Sequence, residues 1–95
     1  MRIVYSREAV QDLVRLREFI AVENPAAAQR IAAQLRQKIE GLRDFPDQGV
    51  EVGRAPDPLR MRDLIVGRYV ARYLRIEKAI FILRVWHHRE DRPPR

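Results

Sequence analysis

With 95 residues, 46% of them apolar, the chain is long enough for one domain with a small core, which we place over residues 1–95. It has no cysteine, which excludes disulfides and cysteine metal sites, and it lacks both an apolar signal-peptide core and a long uncharged run, so we expect a cytoplasmic protein without a membrane segment. The formal charge of +6 favours an anionic partner, either nucleic acid or an acidic polypeptide.

The first half of the chain predicts one strand and two helices. The β-branched run over 2–5 is typical of a strand. Ser6 is a suitable N-cap for a first helix over 7–23, which carries an apolar stripe at helical spacing. Asn24 can cap a second helix over 25–43, because the proline that follows it is tolerated at the first helical position. We therefore expect a helical hairpin with almost no connecting loop.

The second half predicts a loop and three strands. Three prolines and two glycines over 44–58 indicate a long loop. The runs over 59–66, 68–76 and 79–87 are rich in strand formers. The fold class is therefore α+β: an N-terminal strand, a helical hairpin and a three-strand antiparallel meander, with the helices on one face of a four-stranded sheet. The remaining tail, 89–95, is polar and contains prolines.

Charge and alternation predict where a partner docks. Residues 1–53 carry eight basic and eight acidic residues, whereas residues 54–95 carry eleven basic and five acidic, so the whole excess lies in the second half. Alternation along the last strand places its side chains on opposite faces of the sheet. We assign to the helices Phe81, Leu83 and Val85, and to the uncovered face Ile80, Ile82, Arg84, Trp86 and His88.

Several segments together resemble the RelE/ParE toxins of type II toxin–antitoxin modules. They are "AVQDLVRLREFIAVENPAAA", "LRDFPDQG", "LRMRDLIVGRYVARY" and "IFILRVWHHR". The ending Val85-x-His87-x-Arg89 is similar to the ParE-like branch. The resemblance implies one of two activities, since RelE-like members cleave messenger RNA on the ribosome and ParE-like members inhibit DNA gyrase. It also implies an antitoxin whose C-terminal segment wraps the toxin.

The nuclease alternative needs a base, an acid and cations around the reacting phosphate. By resemblance its candidates are Arg60, Arg62, Arg84 and His88. The set is incomplete, because Val70 stands where those nucleases place an arginine before the strand tyrosine, here Tyr73. Two adjacent histidines fall short of a zinc site, so we expect neither a metal nor a cofactor.

We therefore favour a ParE-like gyrase inhibitor without catalytic residues, neutralised by an acidic, amphipathic antitoxin segment. The alternatives are a ribosome-dependent endoribonuclease and a non-toxic relic that still binds the antitoxin. Trp and Arg are the residue types most often found as hot spots, and apolar side chains beside them can serve as anchors, which gives a predicted antitoxin surface on the helical hairpin and the open sheet face. Its residues are Leu13, Leu16, Ile80, Ile82, Arg84 and Trp86.

Overall fold

A computed structural model describes residues 1–53 and 60–89 of the chain. Parts of the predicted loop (54–58) and tail (90–95), and the first residue of the predicted strand 59–66, lie outside these ranges. The elements in chain order are β1 (Arg2–Tyr5), α1 (Arg7–Glu23), α2 (Pro25–Glu40), a 3-10 turn (Gly41–Arg43), β2 (Val50–Glu51), β3 (Met61–Val66), β4 (Tyr69–Ile76) and β5 (Ala79–His87).

Both helices begin at the predicted caps. The Ser6 hydroxyl accepts a hydrogen bond from the Ala9 N–H at 2.9 Å, and the Asn24 side chain accepts one from Ala27 at 3.0 Å. Each cap satisfies one N–H that has no partner within its helix. The second helix is shorter than predicted, because its last predicted turn, over Gly41–Arg43, is a 3-10 helix.

The described residues form one five-stranded sheet in the order β1-β5-β4-β3-β2. As predicted, β1 joins the meander; it pairs with β5 in parallel, and all other pairs are antiparallel. The predicted four strands are corrected to five, since β2 pairs with Arg62 and Asp63 of β3 at the sheet edge. A two-residue strand is too short to show alternation, which is why the sequence did not reveal it.

A β-bulge in β5 reverses the predicted orientation of its first half. Arg72 pairs with Arg84, but the next residue of β4, Tyr73, pairs with Ile82, so Leu83 is an extra residue in the ladder. An extra residue changes which side chains face the core. The outward assignment of Ile80 and Ile82 is therefore wrong: both are fully buried with the helices, whereas Val85 faces the core as predicted.

The core lies between the helical hairpin and one face of the sheet. It joins Leu16 of α1 and Leu35 and Ile39 of α2 to inward-facing residues of β3, β4 and β5. On the opposite face, Val70 and Trp86 are also largely buried, at 8% and 6% exposed. Within the described residues, no helix combines the length and the apolar character needed to cross a membrane.

Candidate functional site

Arg84, a candidate both for the nuclease set and for the antitoxin surface, is bound to a buried carboxylate of α1. Its Nε and Nη2 donate to the two Asp12 oxygens at 2.9 and 3.0 Å, and the Val85 N–H donates to the same carboxylate at 2.9 Å. Asp12 is 4% exposed. β1 pairs with β5 only as far as Ile82, so the Val85 N–H has no partner in β1 and bonds to the Asp12 carboxylate instead. Arg84 therefore joins α1 to β5.

Arg62 lies under the loop between α2 and β3. Its Nη1 donates to the carbonyl oxygens of Gly49 at 2.9 Å and Asp47 at 3.3 Å. The side chain is 16% exposed, and the Asp47 and Glu51 carboxylates lie 3.7 and 3.5 Å from its nitrogens. Its Nε is buried without a hydrogen bond among the described residues. The guanidinium thus holds the loop and is largely closed off from a phosphate in solvent.

Tyr73 of β4 holds the same loop through its hydroxyl group. Its hydroxyl donates to the Pro46 carbonyl at 2.7 Å and accepts from the Gly49 N–H at 3.0 Å. A Cβ at Gly49 would come within 2.7 Å of the Tyr73 ring, so this close approach requires glycine. Burial raises the pKa of Tyr73 above its ordinary value, so the hydroxyl remains a hydrogen-bond donor to Pro46. Its role is to anchor the loop.

Arg72, which flanks the missing arginine at Val70, is also paired. Its Nε and Nη2 donate to the Asp63 carboxylate at 2.8 and 3.0 Å, in the two-bond geometry that arginine and carboxylate favour. The guanidinium carbon lies 5.1 Å from the centre of the Trp86 ring. A carboxylate at this position repels a phosphate, so Arg72 does not supply the cation that the nuclease set lacks.

His88 is exposed at the end of β5 and oriented by the backbone of β4. Its backbone N–H donates to the Arg68 carbonyl at 2.7 Å, and its ring Nδ1 lies 3.2 Å from the same oxygen. A carbonyl accepts hydrogen bonds only, so this contact is a hydrogen bond in the tautomer that carries its proton on Nδ1. The neighbouring His87 accepts from the Arg89 N–H at 3.1 Å and stands edge-on to Tyr69.

The nuclease candidates are not brought together. Arg62 is the register partner of Tyr73, whereas His88 bonds to Arg68, which is five residues before Tyr73 and just outside β4. Five strand residues span about 16 Å, which is too far for both side chains to act on one phosphate. Arg60 is exposed just before β3. In the described part of the chain, no three His, Cys, Asp or Glu residues are grouped so as to hold a metal ion.

The predicted antitoxin residues fall mostly inside the fold. Ile80 and Ile82 are fully buried, Trp86 is 6% exposed and Arg84 is bound to Asp12. Trp86 is therefore corrected from an exposed anchor to a largely buried side chain. Leu13 and Leu16 of α1 line a groove, although Leu16 is only 5% exposed and also belongs to the core.

The groove runs between α1 and α2 and has a volume of about 460 Å³. Leu13 and Leu16 line it, as do Val10 and Val14, which are 48% and 51% exposed. The remaining lining residues of the two helices are Arg17 and Ile20 of α1 and Ala28, Ile31, Ala32, Leu35, Arg36, Ile39 and Glu40 of α2. The sequence did not separate this exposed stripe from the core stripe, although Val10 and Val14 at i and i+4 were the available signal.

Comparisons with known proteins find toxins of the ParE and RelE type and a ParDE system. The model of the ParE toxin of type II toxin–antitoxin systems, parDE, matches residues 3–92. Toxin RelE2 of Caulobacter vibrioides is 29% identical over 86 residues, covering 90% of this chain and 93% of that protein. Toxin RelE1 of the same organism is 27% identical over 90 residues, covering 95% and 96%.

A solved structure agrees with the fold. The chromosomal ParDE system from P. aeruginosa contains a chain that is similar with a TM-score of 0.77 at 22% identity, covering 92% of this chain and 95% of that one. Together with the match of the family model over nearly the whole sequence, this establishes the class of protein. The chain belongs to the ParE/RelE family and is the toxin component of a type II toxin–antitoxin system.

Proposed function

We propose that this toxin acts by binding DNA gyrase and not by cutting RNA. The observation that carries the proposal is that three strand arginines are already committed within the fold. Arg62 is bound to loop carbonyls, Arg72 to Asp63 and Arg84 to Asp12. The ParE family match over residues 3–92 supports gyrase as the target.

The nuclease chemistry lacks its electrostatic component here. Cleavage by a ribose hydroxyl places negative charge on the phosphorus oxygens, and preorganised cations are a large part of how enzymes stabilise it. A guanidinium that already faces a carboxylate supplies little net positive charge to a phosphate. Arg62, Arg72 and Arg84 are therefore poorly suited to stabilise a reacting phosphate.

One observation favours the endoribonuclease as the second candidate. His88 is exposed and its ring Nδ1 lies 3.2 Å from the Arg68 carbonyl, and histidine is the residue most often used as a general base. Two relatives are also named RelE toxins. On this alternative His88 is the essential residue.

We further propose that the antitoxin binds the groove between α1 and α2. Its exposed valines, Val10 and Val14, would be covered by the apolar face of a partner helix, in the manner of helix-in-groove recognition. Arg17 and Arg36 stand among the apolar residues of the groove and suit acidic side chains on that helix. The excess of six positive charges in residues 54–95 would speed the approach of an acidic antitoxin.

Induced expression in a bacterial host tests the target. Plasmid topology and the cleavage of translated messages are followed in the same culture as growth stops. A gyrase inhibitor relaxes plasmids while messages stay intact. Message cleavage within the reading frame, with plasmid supercoiling unchanged, would replace the proposal by the endoribonuclease.

A further inference from the structure

The loop after α2 presents an exposed aromatic ring on a fixed backbone. Phe45 is 69% exposed. Its N–H donates to the Gly41 carbonyl at 3.0 Å, and its carbonyl accepts from the Gln48 N–H at 3.2 Å, so both of its backbone groups are bonded. An exposed phenylalanine on an ordered loop presents apolar surface whose burial by a partner is favourable.

Three side chains of the sheet hold the loop in place. Tyr73 bonds to Pro46 and Gly49. Arg62 donates to the Gly49 carbonyl, and Arg75 donates to both oxygens of the Asp47 carboxylate at 3.0 Å. These contacts hold the residues after Phe45 from both sides, so the loop is ordered before a partner arrives. Preorganisation of this kind lowers the entropy cost of binding.

The chemistry around Phe45 suits a protein more than a nucleic acid. Asp44 and Asp47 flank the ring in sequence, and Asp47 is matched by Arg75. Phosphates approaching Phe45 would meet these carboxylates. Phosphate contacts with lysine and arginine dominate the affinity of most nucleic-acid binding sites. Aromatic residues, phenylalanine among them, are enriched at protein–protein interfaces.

A polar cleft next to the loop adds hydrogen-bonding capacity. Gln48 of the loop lines it together with Gln34 and Gln37 of α2, opposite Ile65 at the end of β3. Side-chain amides both donate and accept, so they can bond the backbone of a partner segment laid beside the ring. The antitoxin groove is lined by other α2 residues, among them Ile31 and Leu35.

We propose that the target protein docks on the loop platform, which we define as Phe45, Pro46 and Gln48, with Phe45 as the central anchor. The inference rests on the proposed function, because it takes the toxin to act by binding a folded protein. It assigns target and antitoxin to different sides of α2. Loss of Phe45 should then weaken toxicity while leaving antitoxin binding unchanged.

The test compares Phe45→Ala with Val22→Ala, which removes a side chain that is 85% exposed on α1 and lies outside both surfaces. A hot spot of about 2 kcal/mol corresponds to about 30-fold. We expect Phe45→Ala to need about 30-fold more toxin to inhibit supercoiling by purified gyrase, and Phe45→Trp to restore most of the potency. Val22→Ala should stay within about threefold of wild type, as should the antitoxin affinity of both alanine variants.

Other outcomes overturn the inference. Equal potency of the two alanine variants would remove Phe45 as the anchor. An equal loss of antitoxin affinity in Phe45→Ala would assign the platform to the antitoxin, and a loss of binding to DNA alone would assign it to nucleic acid. If wild-type toxin does not inhibit gyrase, the proposed function fails, and growth arrest by the same variants still decides whether the platform binds the target.

Discussion

Asp12 and Arg84 are 72 positions apart in the sequence and form a two-bonded ion pair at 2.9 and 3.0 Å. The same carboxylate accepts the Val85 N–H, so one side chain of α1 closes the part of β5 that β1 does not reach. This pairing explains why an arginine that resembles a catalytic cation belongs instead to the architecture. It also makes Asp12 a test of that architecture.

Asp12→Ala should destabilise the fold by about 3 kcal/mol, because it leaves Arg84 partly buried without its anion and the Val85 N–H without an acceptor. Urea denaturation measures the change. Arg15→Ala is the control, since Arg15 is 44% exposed and lies 3.8 Å from the same carboxylate; we expect it to cost less than about 1 kcal/mol. Similar losses in both variants would show that Asp12 and Arg84 act as a surface pair.

Tyr73→Phe should lower the free energy of unfolding by about 1–3 kcal/mol, because the buried Gly49 N–H and the Pro46 carbonyl both lose their partner. Tyr69→Phe is the matched control: it removes the same atom from the same strand but from a hydroxyl that does not hold the loop, and should stay within about 0.5 kcal/mol of wild type. Hydrogen exchange of the Gly49 amide reports the loop directly. Unchanged protection at Gly49 in Tyr73→Phe would contradict the anchoring role.

The sequence predicted the elements well because their signals are local. Ser6 and Asn24 cap the two helices at the expected residues, and the alternation of apolar residues marks the long strands. What it could not reveal are relationships set by the tertiary fold. The bulge at Leu83 leaves no local mark, so alternation alone turned Ile80 and Ile82 outward. Because Trp86 is largely buried, Trp86→Ala should lower the free energy of unfolding more than it lowers the binding free energy for the antitoxin.

The candidate site was harder to predict than the fold for the same reason. The sequence does not distinguish a strand arginine that faces solvent from one that faces a carboxylate. Asp12 and Asp63, which engage Arg84 and Arg72, come from other elements. Likewise, Val10 belongs to the apolar stripe of the first helix, yet it is 48% exposed once the two helices have packed.

Val14→Asp should weaken antitoxin binding at least tenfold, about 1.4 kcal/mol, because it places a carboxylate in the apolar groove. Calorimetry with the antitoxin measures the affinity. Val22→Asp adds the same charge to the same helix outside the groove, so it separates this local effect from long-range repulsion of an acidic partner. Equal weakening by the two variants would mean that charge alone is responsible and that the antitoxin binds elsewhere.

His88→Ala should leave toxicity within a few-fold of wild type, because a gyrase inhibitor does not need a general base. Removing a general acid or base typically costs 10²–10⁴-fold in rate. Growth arrest is measured at matched toxin levels, with thermal melting to establish that the variant is folded. A loss of two or more orders of magnitude in a folded variant would favour the endoribonuclease.

Supercoiling of relaxed plasmid by purified gyrase tests most directly whether the toxin inhibits gyrase. We predict that wild-type toxin blocks supercoiling and that prior addition of the antitoxin prevents the block. Messages on purified ribosomes should remain uncut at the same toxin concentration. Full supercoiling activity in the presence of toxin, together with message cleavage that His88→Ala abolishes, would contradict this prediction.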